Sequence, residues 1–143
     1  MNSTALQLTV RSRCGEHCEA RIRRHVIHID QPPDVLDHDT GPTPVELFVA
    51  GVAADLAQHA RRYLNRLGLP ACVSVTAHYR TELQPARLGG IEMEVAVTDL
   101  PLGLRASLLN VLERCTLYET LRLQPDLSIK LTSTTPHMAT EKT

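Results

Sequence analysis

The order of apolar and polar residues along this chain predicts most of its elements. Residues 5–12 (Ala5, Leu6, Gln7, Leu8, Thr9, Val10, Arg11, Ser12) read as a strand, and Gly15 supplies a turn after it. The run Cys18 to Ile29 is also strand-like, but its phase slips. Ala20 and Ile22 share one face, while Ile27 and Ile29 share the other. A bulge near Arg24–His25 would reconcile the two, since one extra residue flips the alternation. Residues 30–42 form a loop, broken by Pro32, Pro33, Gly41 and Pro42. Thr43, Pro44 and Glu46 then make a helix start: a capping residue, proline at the first helical position, and a Thr-x-x-Glu box. The helix is predicted over 44–67, about 36 Å long at about 1.5 Å per residue, and Gly68 and Pro70 stop it.

The first half of that helix is apolar nearly all round from Val45 to Ala57, interrupted by Glu46 and Asp55. A helix apolar on every side is buried on every side. Either a sheet wraps it or it lies in a dimer interface. Strict alternation follows over 71–80 and again over 91–97, with Pro85 and Gly89–Gly90 between, so a hairpin is predicted. A second helix fits 102–115, with Leu104, Leu108, Val111, Leu112 and Cys115 on one stripe. A short helical turn follows through Leu121. A last strand is predicted over 127–132, with Leu127, Ile129 and Leu131 facing in. The order β-β-α-β-β-α-β, with hairpins and segregated helices, predicts a single α+β domain over 1–132, built on antiparallel sheet. The polar tail 133–143 is expected to be disordered.

Composition narrows the function. The chain has 143 residues, a formal net charge of −1, one Phe, three Tyr and no Trp. So few rings and no basic excess argue against nucleic-acid binding. The first ten residues lack a secretory pattern, and no run approaches the ~18 apolar residues of a membrane helix. A cytoplasmic location is therefore expected, with no membrane partner. Four cysteines in such a setting are reduced, catalytic or metal-bound rather than structural disulfides.

Asp55 is the leading candidate for chemistry, because an ionised carboxylate in an apolar helix must be paired, protonated or functional. His59 follows one turn later on the same face. The bland alternative is an Asp–His pair that only tunes stability. Cys115 ends the apolar stripe of the second helix. It is either a small core hydrophobe or a thiol activated by nearby positive charge. Cys14, His17 and Cys18 form one short cluster, where a specific structural zinc signature would need a second. Arg11, Arg13, Arg21, Arg23 and Arg24 read as a solvated strand face, from which one arginine could reach an anion.

Two blocks now carry a resemblance. Gly41-Pro42-Thr43-Pro44-Val45-Glu46-Leu47, followed by a helix of small residues, resembles the osmotically inducible protein C / organic hydroperoxide resistance (OsmC/Ohr) family. Glu113-Arg114-Cys115-Thr116-Leu117-Tyr118-Glu119-Thr120-Leu121 resembles that family's Glu-Arg-Cys-Pro-Val-His-x-Thr-Leu block. The resemblance spans about residues 5–132. It implies an intertwined homodimer, with two long central helices wrapped by sheets of both subunits. It also implies thiol-dependent reduction of organic hydroperoxides by one reactive and one resolving cysteine.

By the same resemblance, Asp55 stands where the reactive cysteine belongs, and Cys115 keeps the resolving position. Val45 stands where the reductases carry a Glu that orients an Arg over the thiolate, and Thr116 replaces a Pro. Arg13 and Arg24 are the candidates for that anion-stabilising Arg, and His59 and Glu46 are candidate binding residues. The leading expectation is a divergent homodimer without the two-cysteine cycle, binding a small apolar ligand or organic hydroperoxide at its interface. The alternative is a single-cysteine hydroperoxide reductase in oxidative-stress defence, using Cys115. A metal or acid–base site made from Asp55, His59 and Cys115 ranks third. No cofactor and no resident metal are expected.

Overall fold

The computed structural model describes residues 6–13, 15–31 and 39–133. Ala5, Cys14, part of the 30–42 loop and nearly all of the predicted C-terminal tail lie outside the described residues. The chain is α+β. Three antiparallel strands, β1 (Thr9–Ser12), β2 (Cys18–Ile22) and β3 (His25–Ile29), form one sheet in the order β1-β2-β3. Helix α1 (Pro44–Arg66) follows, and then an antiparallel pair, β4 (Val73–Leu83) and β5 (Ala86–Val97). A 3₁₀ turn (Leu102–Leu104) leads into α2 (Arg105–Leu112) and α3 (Thr116–Leu123).

The phase slip expected as a bulge within 18–29 is instead a hairpin turn. Arg23 adopts φ 56°, and the register continues with Ile22 opposite His25. Reversing the chain flips the alternation as effectively as an inserted residue would. The first sheet is tied to the start of α1 through Asp30. Its carboxylate accepts the Thr40 hydroxyl at 2.6 Å, and its amide donates to the Pro42 carbonyl at 3.1 Å. Gly41 is required by this close approach, since a Cβ there would collide with the His28 carbonyl.

Helix α1 starts as its sequence predicts. Thr43 Oγ1 accepts the Glu46 amide at 3.2 Å, and the Glu46 carboxylate accepts the Thr43 amide at 2.7 Å. Gly68, at φ 70°, lies just past its end. Val49, Val52, Leu56, Ala60 and Leu64 are buried along one stripe. Near its N-terminal end, Val45 and Phe48 are exposed in the single chain.

β4 and β5 run further into the hairpin than alternation alone predicts. Gly89 and Gly90 lie within β5, and the register shifts between Arg80 and Thr81. A glycine inside a strand marks a bulge as readily as a loop. Cross-strand pairs Val73–Val97, Val75–Val95 and Ala77–Met93 present one face. That face packs with Leu56, Ala60, Leu108, Leu112 and Cys115 to make the core.

Two expectations change at the C-terminal end. The helix predicted over 102–115 ends at Leu112, and Cys115 takes extended backbone (φ −70°, ψ 154°) as the cap of α3. The strand predicted over 127–132 does not form. Leu127, Ile129 and Leu131 are 90%, 93% and 96% exposed. A strand exists only where a neighbour takes its backbone hydrogen bonds, and the single chain offers none there.

Candidate functional site

Asp55 projects from the middle of α1 toward the junction of α2 and α3. That junction exists because Cys115 breaks the helix, which leaves the first amides of α3 without intrahelical partners. The Leu117 amide donates to Asp55 Oδ2 at 2.9 Å. Asp55 Oδ1 lies 3.2 Å from His59 Nδ1, one turn along α1. That same nitrogen donates to the Asp55 carbonyl at 2.9 Å. Cys115 Sγ comes within 4.8 Å of the Asp55 carboxylate and of the His59 ring nitrogen. Two helices and one helix break thus converge on a single carboxylate.

The electrostatics follow from these contacts. Burial would raise the pKa of Asp55. The Leu117 amide, the Cys115 thiol, and the charges of His59 and Arg62 outweigh it, holding the carboxyl below its usual value. Cys115 moves the opposite way. Burial pushes its thiol up, and the neighbouring Asp55 carboxylate pushes it further. The amides of Tyr118 and Leu117 oppose this only in part. Residue Cys115 is 0% exposed. The site therefore holds an ionised carboxylate beside a protonated, sequestered thiol. Alkylation of Cys115 should be slow at neutral pH, with a midpoint above the ordinary ~8.5. Iodoacetamide labelling followed by peptide mass spectrometry across pH checks this. The sign for stability is fixed as well. A raised folded pKa leaves the Cys115 contribution intact below the unfolded value, and it is lost as pH rises through the folded one.

An apolar cavity of about 350 Å³ opens nearby, between α1, β5, α2 and α3. It shares Leu56, Leu112 and Tyr118 with the packing around Cys115. Arg122 lines it, with its guanidinium 5.9 Å from the centre of the Tyr118 ring and 3.7 Å from Glu119.

The remaining candidates lie elsewhere. Glu46 is occupied by the α1 cap. Arg13 lies just past the end of β1, ion-paired with Glu19 at 2.6 Å, and Arg24 occupies the exposed turn between β2 and β3. His17 stacks on His28, with ring nitrogens 3.1 Å apart, and the Cys18 thiol faces the Glu16 carbonyl. Composition and spacing did not reveal the amides of Leu117 and Tyr118. Backbone donors carry no residue signature, and Cys115 is not a usual capping type. Among the described residues, Cys18, Cys72 and Cys115 are free thiols. No helix among them is long and apolar enough to cross a membrane.

Comparison with known proteins agrees with this architecture. No curated protein sequence matches the chain. Solved structures do match. A protein of Psychrobacter arcticus described as an osmotic-stress-induced and detoxification-response protein aligns with a TM-score of 0.72 at 11% identity, covering 83% of this chain and 90% of that one. An OsmC-like protein of Mycoplasma pneumoniae aligns at 0.71 and 16% identity, covering 85% and 89%. An organic hydroperoxide resistance protein of Vibrio cholerae, with captopril bound in one of its active sites, aligns at 0.53 and 19% identity, covering 84% and 87%. The fold is thus that of the OsmC/Ohr proteins. The OsmC-like protein family matches residues 37–130, which include α1, the β4–β5 hairpin and the Asp55–Cys115 contact, and the chain belongs to that family.

Proposed function

We propose that this OsmC-like protein does not run a two-thiol peroxidase cycle, and that it binds a small, largely apolar organic molecule with an acidic end. The observation that carries this reading is Asp55. An ionised carboxylate, hydrogen-bonded to the Leu117 amide and beside the Cys115 sulfur, fills the place that the family resemblance assigns to the attacking thiol. A carboxylate cannot become a sulfenic acid. The cavity beside it is apolar, with the Arg122 guanidinium at its wall to receive an anion. The Vibrio cholerae relative was solved with captopril in one of its active sites, which supports a small organic ligand.

The partner in this reading is a second copy of the chain. The exposed Val45 and Phe48 near the start of α1 and the exposed Leu127, Ile129 and Leu131 are surfaces of the kind a homodimer covers. A cytoplasmic setting suits its free thiols.

The alternative, peroxide reduction by Cys115 alone, is disfavoured by the burial and raised pKa of that thiol. The test is twofold. Wild-type protein with a dithiol and cumene hydroperoxide should consume no peroxide above background. An anilinonaphthalene sulfonate dye should bind and be displaced by medium-chain carboxylates, less well after Arg122→Ala. Turnover that disappears in Cys115→Ser would reverse the reading in favour of the single-thiol enzyme.

A further inference from the structure

Among the described residues, one group of metal-ligating atoms comes within reach of a single ion. A carboxylate oxygen of Asp55, a ring nitrogen of His59 and Cys115 Sγ all lie within 4.8 Å of one another. We propose that this group binds one thiophilic divalent transition-metal ion, Zn²⁺ fitting best, with these three side chains as ligands and an exchangeable water as the fourth.

Geometry supports this first. Asp55 and His59 sit four residues apart on a rigid helix, and Oδ1 is 3.2 Å from Nδ1. A tetrahedral centre with metal–oxygen and metal–nitrogen bonds of about 2.0–2.2 Å has edges of about 3.3–3.5 Å. Two ligands are thus already near their final spacing. Cys115 must close only part of the remaining distance, and as the residue capping α3 it sits at a helix break rather than inside a regular turn.

The surrounding contacts support it next. The Leu117 amide engages Oδ2, leaving Oδ1 for a monodentate bond to the ion. Such donors orient and hold anionic ligands. His59 contributes Nδ1 by shifting its proton to Nε2 and exchanging its bond to the Asp55 carbonyl for the metal. The Cys115 thiol releases its proton to solvent. Carboxylate and thiolate then balance the two charges of the ion, so a half-buried centre carries no net charge.

Donor chemistry selects the metal. One thiolate, one imidazole and one carboxylate suit Zn²⁺ or Co²⁺ and not Mg²⁺ or Ca²⁺, which take oxygen ligands. The side chains of Asp55 and His59 are 17% and 22% exposed, so water reaches the fourth position. Three protein ligands with an open position are the arrangement of metal sites that exchange a ligand.

Titrating chelator-treated full-length protein with Co²⁺ alone tests this. The expected result is a thiolate-to-cobalt charge-transfer band, with the intense visible bands of four-coordinate cobalt. Both should saturate at one ion per chain and disappear on adding Zn²⁺. Cys115→Ser and Cys115→Ala should abolish the charge-transfer band. His59→Gln and Asp55→Asn should weaken binding by at least about 10-fold. Cys14→Ser, Cys18→Ser and Cys72→Ser should change nothing. Circular dichroism of each variant separates ligand loss from unfolding. No charge-transfer band, or one that survives in a folded Cys115 variant, overturns the proposal, as does undiminished affinity in His59→Gln. Peroxide inertness and dye binding are measured on metal-free protein, so either reading can fail without the other.

Discussion

Asp55→Cys should give this chain dithiol-dependent hydroperoxide reductase activity. The site is already arranged for an anion at this position. Leu117 donates its amide to the present carboxylate at 2.9 Å, and His59 lies beside it. A thiolate placed there would meet the same donors, which lower a thiol's pKa. Attack on the peroxide breaks the O–O bond, releasing the alcohol and leaving a sulfenic acid on the new thiol. The Cys115 sulfur, within 4.8 Å of the present carboxylate, lies close enough to condense with it. That step forms a disulfide and expels water, and the added dithiol reduces the bond. The gain over wild type should exceed about tenfold, equivalent to about 1.4 kcal/mol of barrier. Peroxide consumption on metal-free protein, with mass spectrometry of the oxidised variant, reads both steps. A folded variant that stays inert, with both thiols free, would show that the amide of Leu117 does not activate a sulfur here.

Leu64→Ala is expected to have the largest effect on stability. Leu64 is 0% exposed, on the last full turn of α1, and its carbonyl accepts the amides of both Leu67 and Leu69 as the chain leaves the helix. Truncation loses the transfer energy of the removed carbons and opens a cavity that a rigid helix cannot close. The cost is about 2–5 kcal/mol. The melting temperature should fall by on the order of 10 °C. Leu127→Ala is the informative companion. Leu127 is 90% exposed in the single chain, so an isolated monomer should lose less than about 0.5 kcal/mol. If Leu127 lies in a homodimer interface, the variant should instead shift the protein toward monomer in sedimentation velocity. Thermal scans at two protein concentrations separate the two causes.

Much of the fold was legible because local signals agreed with one another. The Thr43–Glu46 box, Pro44 and Gly68 mark both ends of α1 within one residue of where they lie. Period-two alternation grouped the inward face of the β4–β5 pair correctly, since Val73, Val75, Met93, Val95 and Val97 pack on the core. The extra length of that hairpin was missed because Gly89–Gly90 reads as a loop as readily as a bulge. The turn at Arg23 was missed because a non-glycine residue with positive φ carries no composition signal.

The site was legible in part. Asp55 stood out because a charge in an apolar helix demands an explanation, and His59 followed from helical spacing. The unbroken apolar stripe from Leu104 to Cys115 concealed the helix break that puts Cys115 at a cap. The amides that this break frees were equally hidden. The exposed strand-like segment at 127–132 marks the same limit, because alternation records which face is apolar but not which neighbour pairs with it.

The sequence by itself determined most element types, the ends of the long helix, the blocks that carry the family resemblance, and a lone carboxylate at position 55 in an apolar helix. These are local or periodic properties, decided by residue type and spacing. Only the tertiary structure decided that Asp55, His59, Cys115 and the Leu117 amide share one point, and that Cys115 is buried while Asp55 remains ionised. Those facts depend on how α1 packs against the α2–α3 break some sixty residues away in the chain, with 62 separating Asp55 from Leu117. Burial and convergence are set by what each residue faces, and no spacing along a single element encodes that.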